Sequence, residues 1–184
     1  MASTPEHDVA AAHDAARTSA RVELFAVPGL PDFAPGDDLA EIVFERAAAA
    51  GLGFENGDVI VIAQKVVSKC EGAYVDLATV AAGPDAVEIA QRTGKDSRLV
   101  AVILSEASEV LRAQDGLLIV AHRSGHVMAN AGIDASNIPG ADGERVLKLP
   151  HDADAAALQI KSKLDSLAGA LVCVVINDSW GRAW

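Results

Sequence analysis

Cysteine is nearly missing from this chain: Cys70 and Cys173 are the only two in 184 residues, too few for the disulfide framework on which small secreted domains rely. A reducing cytoplasm is the expected location. Basic residues are outnumbered, 15 Lys and Arg against 26 Asp and Glu, and the formal net charge of -11 argues against a nucleic-acid partner, because a sequence-independent grip neutralises phosphates with clustered cations. No apolar run approaches the roughly 20 residues of a membrane span, so a soluble protein with no membrane partner is expected. Residues 1–20 lack the basic start and the apolar segment of a secretory signal. Rich in Ala, Asp, His, Ser and Thr, they read as a disordered leader ahead of a folded domain at 21–184. Neither GxxxxGK[ST] nor GxGxxG occurs, which removes both common nucleotide-binding signatures. There is no internal repeat and no interdomain linker.

What is present is enough apolar residue, 51% of the chain, to bury a core as one compact body. Residues 21–27 alternate and read as a strand, stopped by Pro28 and Pro31, which cannot continue a ladder. Asp37 or Asp38 caps a helix carrying Leu39, Ile42, Val43 and Ala47, which Gly51 and Gly53 end. The β-branched run at 58–63 has the pattern of a strand buried on both faces. A helical region after Gly83, Pro84 and Asp85 breaks near Gly94 and resumes behind Asp96 or Ser97, with Val100, Ile103, Leu104, Ala107, Val110 and Leu111 as its apolar stripe. Asp115 and Gly116 turn the chain into a strand at 117–121, and Ser124 and Gly125 make a hairpin into 126–129. A strand at 145–149, a helix at 155–167 capped by Asp152 or Asp154, and a final strand at 171–176 complete the reading. Cys173, inside that last strand, reads as a small core residue. The fold class expected is α+β, a mixed β-sheet with flanking helices and a β-hairpin.

The candidate chemistry begins at 130–137, NAGIDASN, which sets one carboxylate, Asp134, among small residues where a core would want bulk. Such a loop either turns on its own Asx bond or holds something polar. Asn137, three residues on, offers an amide to a phosphate, a base or a sugar. The apolar run at 171–176 delivers Asn177, Asp178 and Ser179 at its exit. Open sheets place ligands at that end of a strand, although the same residue types also cap a following turn. Two carboxylates distant in sequence suit a metal-assisted phosphoryl-transfer site if the fold joins them, since Mg²⁺ and Mn²⁺ take oxygen donors and share sites with phosphates.

Gln64, Lys65, Ser68 and Lys69 follow the buried strand, and the two lysines form either a solvated terminus or a local phosphate clamp. Pro28, Gly29, Leu30 and Pro31 read first as a turn, in which Gly29 would let backbone amides approach an anion. His122 and His126 span a hairpin turn with no third ligand in view, which disfavours zinc. Glu71 reads as a surface residue, and Asp37 with Asp38 as a capping pair.

Four stretches in order, VPGLPDFAPGDDLA at 27–40, NGDVIVIAQKVVSKCEG at 56–72, LIVAHRSGHVMANAGIDASN at 118–137 and VVINDSWGRAW at 174–184, resemble the coenzyme F420-0:γ-glutamyl ligase family. The resemblance implies that family's fold and a GTP-dependent ligase that adds L-glutamate to coenzyme F420-0 through an acyl phosphate. It implies GTP as co-substrate, Mg²⁺ or Mn²⁺ at the nucleotide, K⁺ as a further candidate cation, and a homodimer. By motif position, Asp134 and Asp178 correspond to ligands of one divalent ion and Ser179 to a ligand of a second, a serine where threonine is often seen. Pro28, Gly29, Leu30, Pro31, Gln64, Lys65, Lys69 and Asn137 correspond to nucleotide contacts. Family members continue well past a GRPWR-like segment, whereas this chain stops at Trp184. The expectation is therefore a C-terminally truncated fold with an incomplete second metal site. The alternatives are a catalytically silent fragment that binds metal, nucleotide or a partner chain, and an amide ligase with another carboxylate acceptor.

Overall fold

A computed structural model describes residues 22–135 and 143–179; the expected leader and Asn137 lie outside them. Helix α1, Leu39–Ala49, starts where Asp38 accepts a hydrogen bond from the Glu41 amide at 3.1 Å, the reciprocal of an otherwise orphaned helix donor. Lys163 binds the same carboxylate from helix α5, Ala153–Ala168, and so staples the start of α1 to a distant element. Asp37 instead accepts from the Ala34 amide at 2.8 Å, closing the preceding turn.

Strand β1, Val59–Ala63, pairs in parallel with β7, Cys173–Asn177, from Val59 beside Cys173 to Ala63 beside Asn177. Ile60, Ile62, Val174 and Ile176 turn towards the layer formed by α1 and α5, whereas Val59, Val61, Cys173 and Val175 face outwards. The expectation that this strand is buried on both faces is thus corrected, as is the core role for Cys173, which is exposed. An uninterrupted β-branched run satisfies a one-sided strand as readily as a two-sided one, because the inward set still alternates. Leu164, fully enclosed, packs with Ala40 and Val172 and joins α5 to α1 and β7.

Directly after β1 the chain enters helix α2, Gln64–Cys70. Strand β2, Tyr74–Asp76, follows and pairs antiparallel with β6, Arg145–Leu147. Helix α3, Pro84–Thr93, begins on its proline and ends at Gly94 in the left-handed conformation, an arrangement that places each residue where its backbone preference suits it. Helix α4, Ser97–Glu106, is capped by Asp96, whose carboxyl is held down at about 2 by its bonds to the Arg98 side chain and amide.

The helix expected to run through Leu111 stops at Glu106. Residues Ala107–Gln114 form strand β3, followed by β4, Leu117–His122, and β5, Val127–Ala129, in an antiparallel sheet of order β3-β4-β5. Pairing of β3 with β4 across the Asp115–Gly116 turn outweighs the helical spacing of Val110 and Leu111. Val100, Ile103, Leu118 and Val120 are fully buried where α4 covers this sheet.

The strand expected at 21–27 is not formed: the described residues 22–33 carry no ladder, and Val22 and Leu24 are 82% and 92% exposed. Alternation alone does not make a strand without a neighbouring edge. The α+β expectation stands, with helices flanking sheets of both senses, although the parallel and antiparallel ladders are separate. No helix among the described residues is long and apolar enough to cross a membrane.

Candidate functional site

The parallel pair sets the site's position. Because Ala63 lies opposite Asn177, the next residues of each strand, Gln64 on one side and Asp178 on the other, leave the sheet at the same carboxyl end. Open sheets characteristically place ligands at that end. Lys65 and Lys69 are one helical turn apart on α2, on one face. Gln64 donates through Nε2 to the Ser68 hydroxyl at 2.7 Å, and Ser68 is completely buried, so the amide is oriented from within. From sequence these residues read as a strand exit whose lysines form a solvated terminus or a phosphate clamp, with no positioning role for Ser68. The i,i+4 spacing of Gln64 with Ser68 was the available signal.

Asp134 reaches this end from the loop after β5, where it forms an isolated antiparallel bridge to Leu147 of β6. After β5 the backbone takes positive φ at Asn130, Ala131 and Gly132, 52°, 53° and 69°. For the two non-glycine residues this left-handed region is costly, and such strain persists only where the surroundings impose it. Here they do: the Ile133 amide donates to the Asn130 carbonyl at 3.0 Å, and Asp134 exchanges both backbone hydrogen bonds with Leu147, at 3.0 and 2.8 Å. A Cβ on Gly132 would stand 2.9 Å from the end of the half-buried Leu149 side chain, which would have to shift to admit it. Held this way, the Asp134 carboxylate forms an ion pair with the Lys65 ammonium. The candidate metal ligand and the candidate phosphate lysine are therefore in direct contact.

Asp178 accepts from the Ser179 amide at 2.7 Å, which turns its carboxylate back along the chain exit. Pro28, Gly29, Leu30 and Pro31 form an exposed loop with Gly29 at φ 69°. Phe33 anchors that loop, buried in the cluster that holds Ile62 of β1 and Val67 of α2. Of the residues singled out from sequence, Lys65 and Asp134 are thus joined, and Gln64, Lys69, Asp178 and Ser179 are set at the same end. The proline loop is tethered to the same core. Two surface grooves, of 680 Å³ against α3 and β3 and of 340 Å³ beside α1 and α5, include none of these residues.

Among the described residues no three His, Cys, Asp or Glu side chains gather as a metal cluster. The donor chemistry nevertheless fits a hard divalent cation. Mg²⁺ is commonly held by one or two carboxylates, with substrate phosphates and water completing the shell, and Asp134, Asp178 and the Ser179 hydroxyl are all oxygen donors. The Lys65 ammonium at Asp134 is itself a cation on that carboxylate.

A second polar cluster, of which the sequence singles out only His122 and His126, lies one residue from the Asp134 bridge. Glu106 is buried, 4% exposed, and accepts from Lys148 at 3.0 Å while pairing with Arg123 at 2.8 Å. A buried carboxylate with two cationic partners meets the usual requirement for burying charge. His122, also buried, places Nε2 3.8 Å from Glu106. Its Nδ1 accepts from the Ser124 amide at 3.1 Å, and the Ser124 hydroxyl lies 2.7 Å from that nitrogen and 2.9 Å from Nδ1 of His126. Burial holds the His122 imidazole below its ordinary range, Glu106 opposing and Arg123 and His126 adding to the effect. The two histidines are therefore joined through a serine in a hairpin turn.

A family model described as F420-0:Gamma-glutamyl ligase matches residues 29–184. The chain is similar to the coenzyme F420:L-glutamate ligase of Methanothermobacter thermautotrophicus, 39% identical over 161 residues that cover 88% of this chain and 63% of the relative. It is 45% identical to that of Methanopyrus kandleri over 148 residues, 80% of this chain and 56% of the relative. To that of Archaeoglobus fulgidus it is 41% identical over 164 residues, 89% of this chain and 62% of the relative. The chain thus spans about three fifths of the length of these curated relatives.

Proposed function

The chain belongs to the F420-0:gamma-glutamyl ligase family, and from that premise we propose that it serves a GTP-dependent ligase joining L-glutamate to coenzyme F420-0. The γ-phosphoryl group of GTP passes to a carboxylate oxygen of F420-0, releasing GDP and leaving an acyl phosphate. The glutamate amine then forms a bond to the acyl carbon, phosphate departs with the carbon–oxygen bond pair, and the amine loses its proton to solvent. Such chemistry asks the protein for alignment and charge neutralisation more than for covalent participation.

Asp134, Asp178 and Ser179 would hold Mg²⁺ or Mn²⁺, which supplies neutralisation of the nucleotide phosphates when bound; K⁺ is a further candidate at the site. Lys65 and Lys69 present ammonium groups to phosphate oxygens from one face of α2. Gln64, held by Ser68, and the Pro28, Gly29, Leu30 and Pro31 loop contact the nucleotide, with Asn137 as a further amide donor. The observation that carries the reading is the ion pair of Lys65 with Asp134 at the strand end from which Asp178 also emerges. A cytoplasmic location agrees with Cys70 and Cys173 both being free thiols, and a homodimer belongs to the same reading.

A second reading, nucleotide and metal binding without turnover, is favoured by the two-carboxylate donor set, to which no third acidic group is added among the described residues. Incubation with GTP, Mn²⁺, F420-0 and L-glutamate, followed by mass spectrometry, separates the two. GDP and a product heavier by one glutamyl residue are expected. Nucleotide binding without product would support the second reading, and failure to bind either GTP or Mn²⁺ would sink both.

A further inference from the structure

We propose that Lys65 is a placeholder cation: it neutralises Asp134 in the metal-free protein and transfers to a nucleotide phosphate when a divalent cation takes that carboxylate. The inference rests on the reading of Asp134 as a metal ligand and adds to it an order of binding.

Three observations carry it. The Lys65 ammonium pairs with Asp134 across two elements that are remote in sequence, α2 and the loop after β5. The Asp134 backbone is pinned by two hydrogen bonds to Leu147, which fixes the point from which the carboxylate projects, while the lysine ammonium sits on a flexible four-carbon stem that allows it to exchange partners. The pair is partly solvated, with side chains 29% and 34% exposed, and a pair of that kind is weak enough for a divalent ion to break. Gln64 on the same helical turn behaves differently, because Ser68 holds it within α2 itself. Once released in a chain of net charge -11, the ammonium is matched best by the anion that arrives with the metal, a nucleotide polyphosphate.

Two substitutions and three titrations test this. In Lys65→Met, Mn²⁺ measured alone by electron paramagnetic resonance should bind about fivefold more tightly, since the competing ammonium is gone. A fluorescent guanine nucleotide should bind the metal-free variant within about twofold of wild type. With Mn²⁺ present the variant should lose about tenfold in nucleotide affinity, the scale of one charge-assisted contact. Lys65→Arg, which keeps the cation, should follow wild type in the Mn²⁺-alone titration.

Unchanged or weaker Mn²⁺ binding by Lys65→Met would overturn the placeholder role while leaving the metal site standing. Equal loss of nucleotide with and without Mn²⁺ would make Lys65 a permanent phosphate ligand, which also overturns it. Absence of Mn²⁺ binding in every form would remove the underlying reading as well. Should Lys65→Met not fold, Mg²⁺ titration of the unaltered protein followed by nuclear magnetic resonance of the Lys65 ε-methylene decides: a saturable shift is expected, and none would refute the exchange.

Discussion

Replacing Gly132 with alanine should damage the protein more than any comparable change at an open turn. Gly132 has φ 69°, and a Cβ there would stand 2.9 Å from three atoms of Leu149. The left-handed conformation costs an L-residue about 1 kcal/mol or somewhat more, and forcing Leu149 aside adds about 1–2 kcal/mol of overpacking. Together these give about 2–3 kcal/mol, or a melting temperature lower by roughly 6–9 °C in a chain of this size. Gly125→Ala is the control, because Gly125 has φ 88° but nothing within 4 Å of the added carbon; it should lose only about 3 °C.

Circular dichroism melts of both variants, with Leu149→Ala and the Gly132→Ala/Leu149→Ala double variant, complete a cycle in which the steric share appears as a coupling of about 1 kcal/mol. Removing Leu149 should relieve the contact but not the backbone cost. Equal melting of Gly132→Ala and Gly125→Ala, or a coupling near zero, would refute the claim that close packing against Leu149 fixes the loop carrying Asp134.

Leu164→Ala should destabilise by about 2–5 kcal/mol in urea titration, because the side chain is fully buried between α5, α1 and β7. Glu106→Gln should cost about 1–3 kcal/mol in the same assay, since Lys148 and Arg123 lose their shared carboxylate, whereas exposed Glu109→Gln should change little. His122 gives a pH dependence whose sign follows from its lowered pKa. As pH falls below about 6.5 the unfolded chain takes up the proton before the folded one, so stability is lost on acidification. His122→Gln should flatten that slope in melts between pH 7 and pH 5, and an unchanged slope would remove His122 as its source.

The fold was legible wherever local chemistry and tertiary structure agreed. Asp38, Asp96 and Asp152 cap helices as their types and positions indicate, and Asp115 with Gly116 and Ser124 with Gly125 turn the antiparallel sheet. It was not legible where two periods coincide. Val110 and Leu111 continue the spacing of α4 but belong to β3, and only the partner strand, invisible in a local window, decides between them. Helix α2 was missed for the opposite reason: it starts without a side-chain cap and runs for 7 residues, too short to establish a period. Residues 22–27 show that alternation without an edge to join remains open chain.

The candidate site divides in the same way. Asp134 and Asp178 stood out as carboxylates among small residues and just after an apolar strand, although an Asx turn and a cap account for such positions as readily from sequence alone. Lys65 stood out less, and its contact with Asp134 depends on two elements brought together by the fold. Glu106 was unreadable, since in sequence it is one acid on a helix, and its meaning comes from Lys148, Arg123 and His122 converging on it.

Calorimetric titration of Mn²⁺ in the presence of GTP, on the wild-type chain and on Asp134→Asn and Asp178→Asn, tests the central claim most directly. A shared cation site predicts that each single substitution weakens Mn²⁺ binding by about 100-fold or more, beyond the loss usual for an outer-shell partner. Wild-type Mn²⁺ affinity in either variant would contradict it.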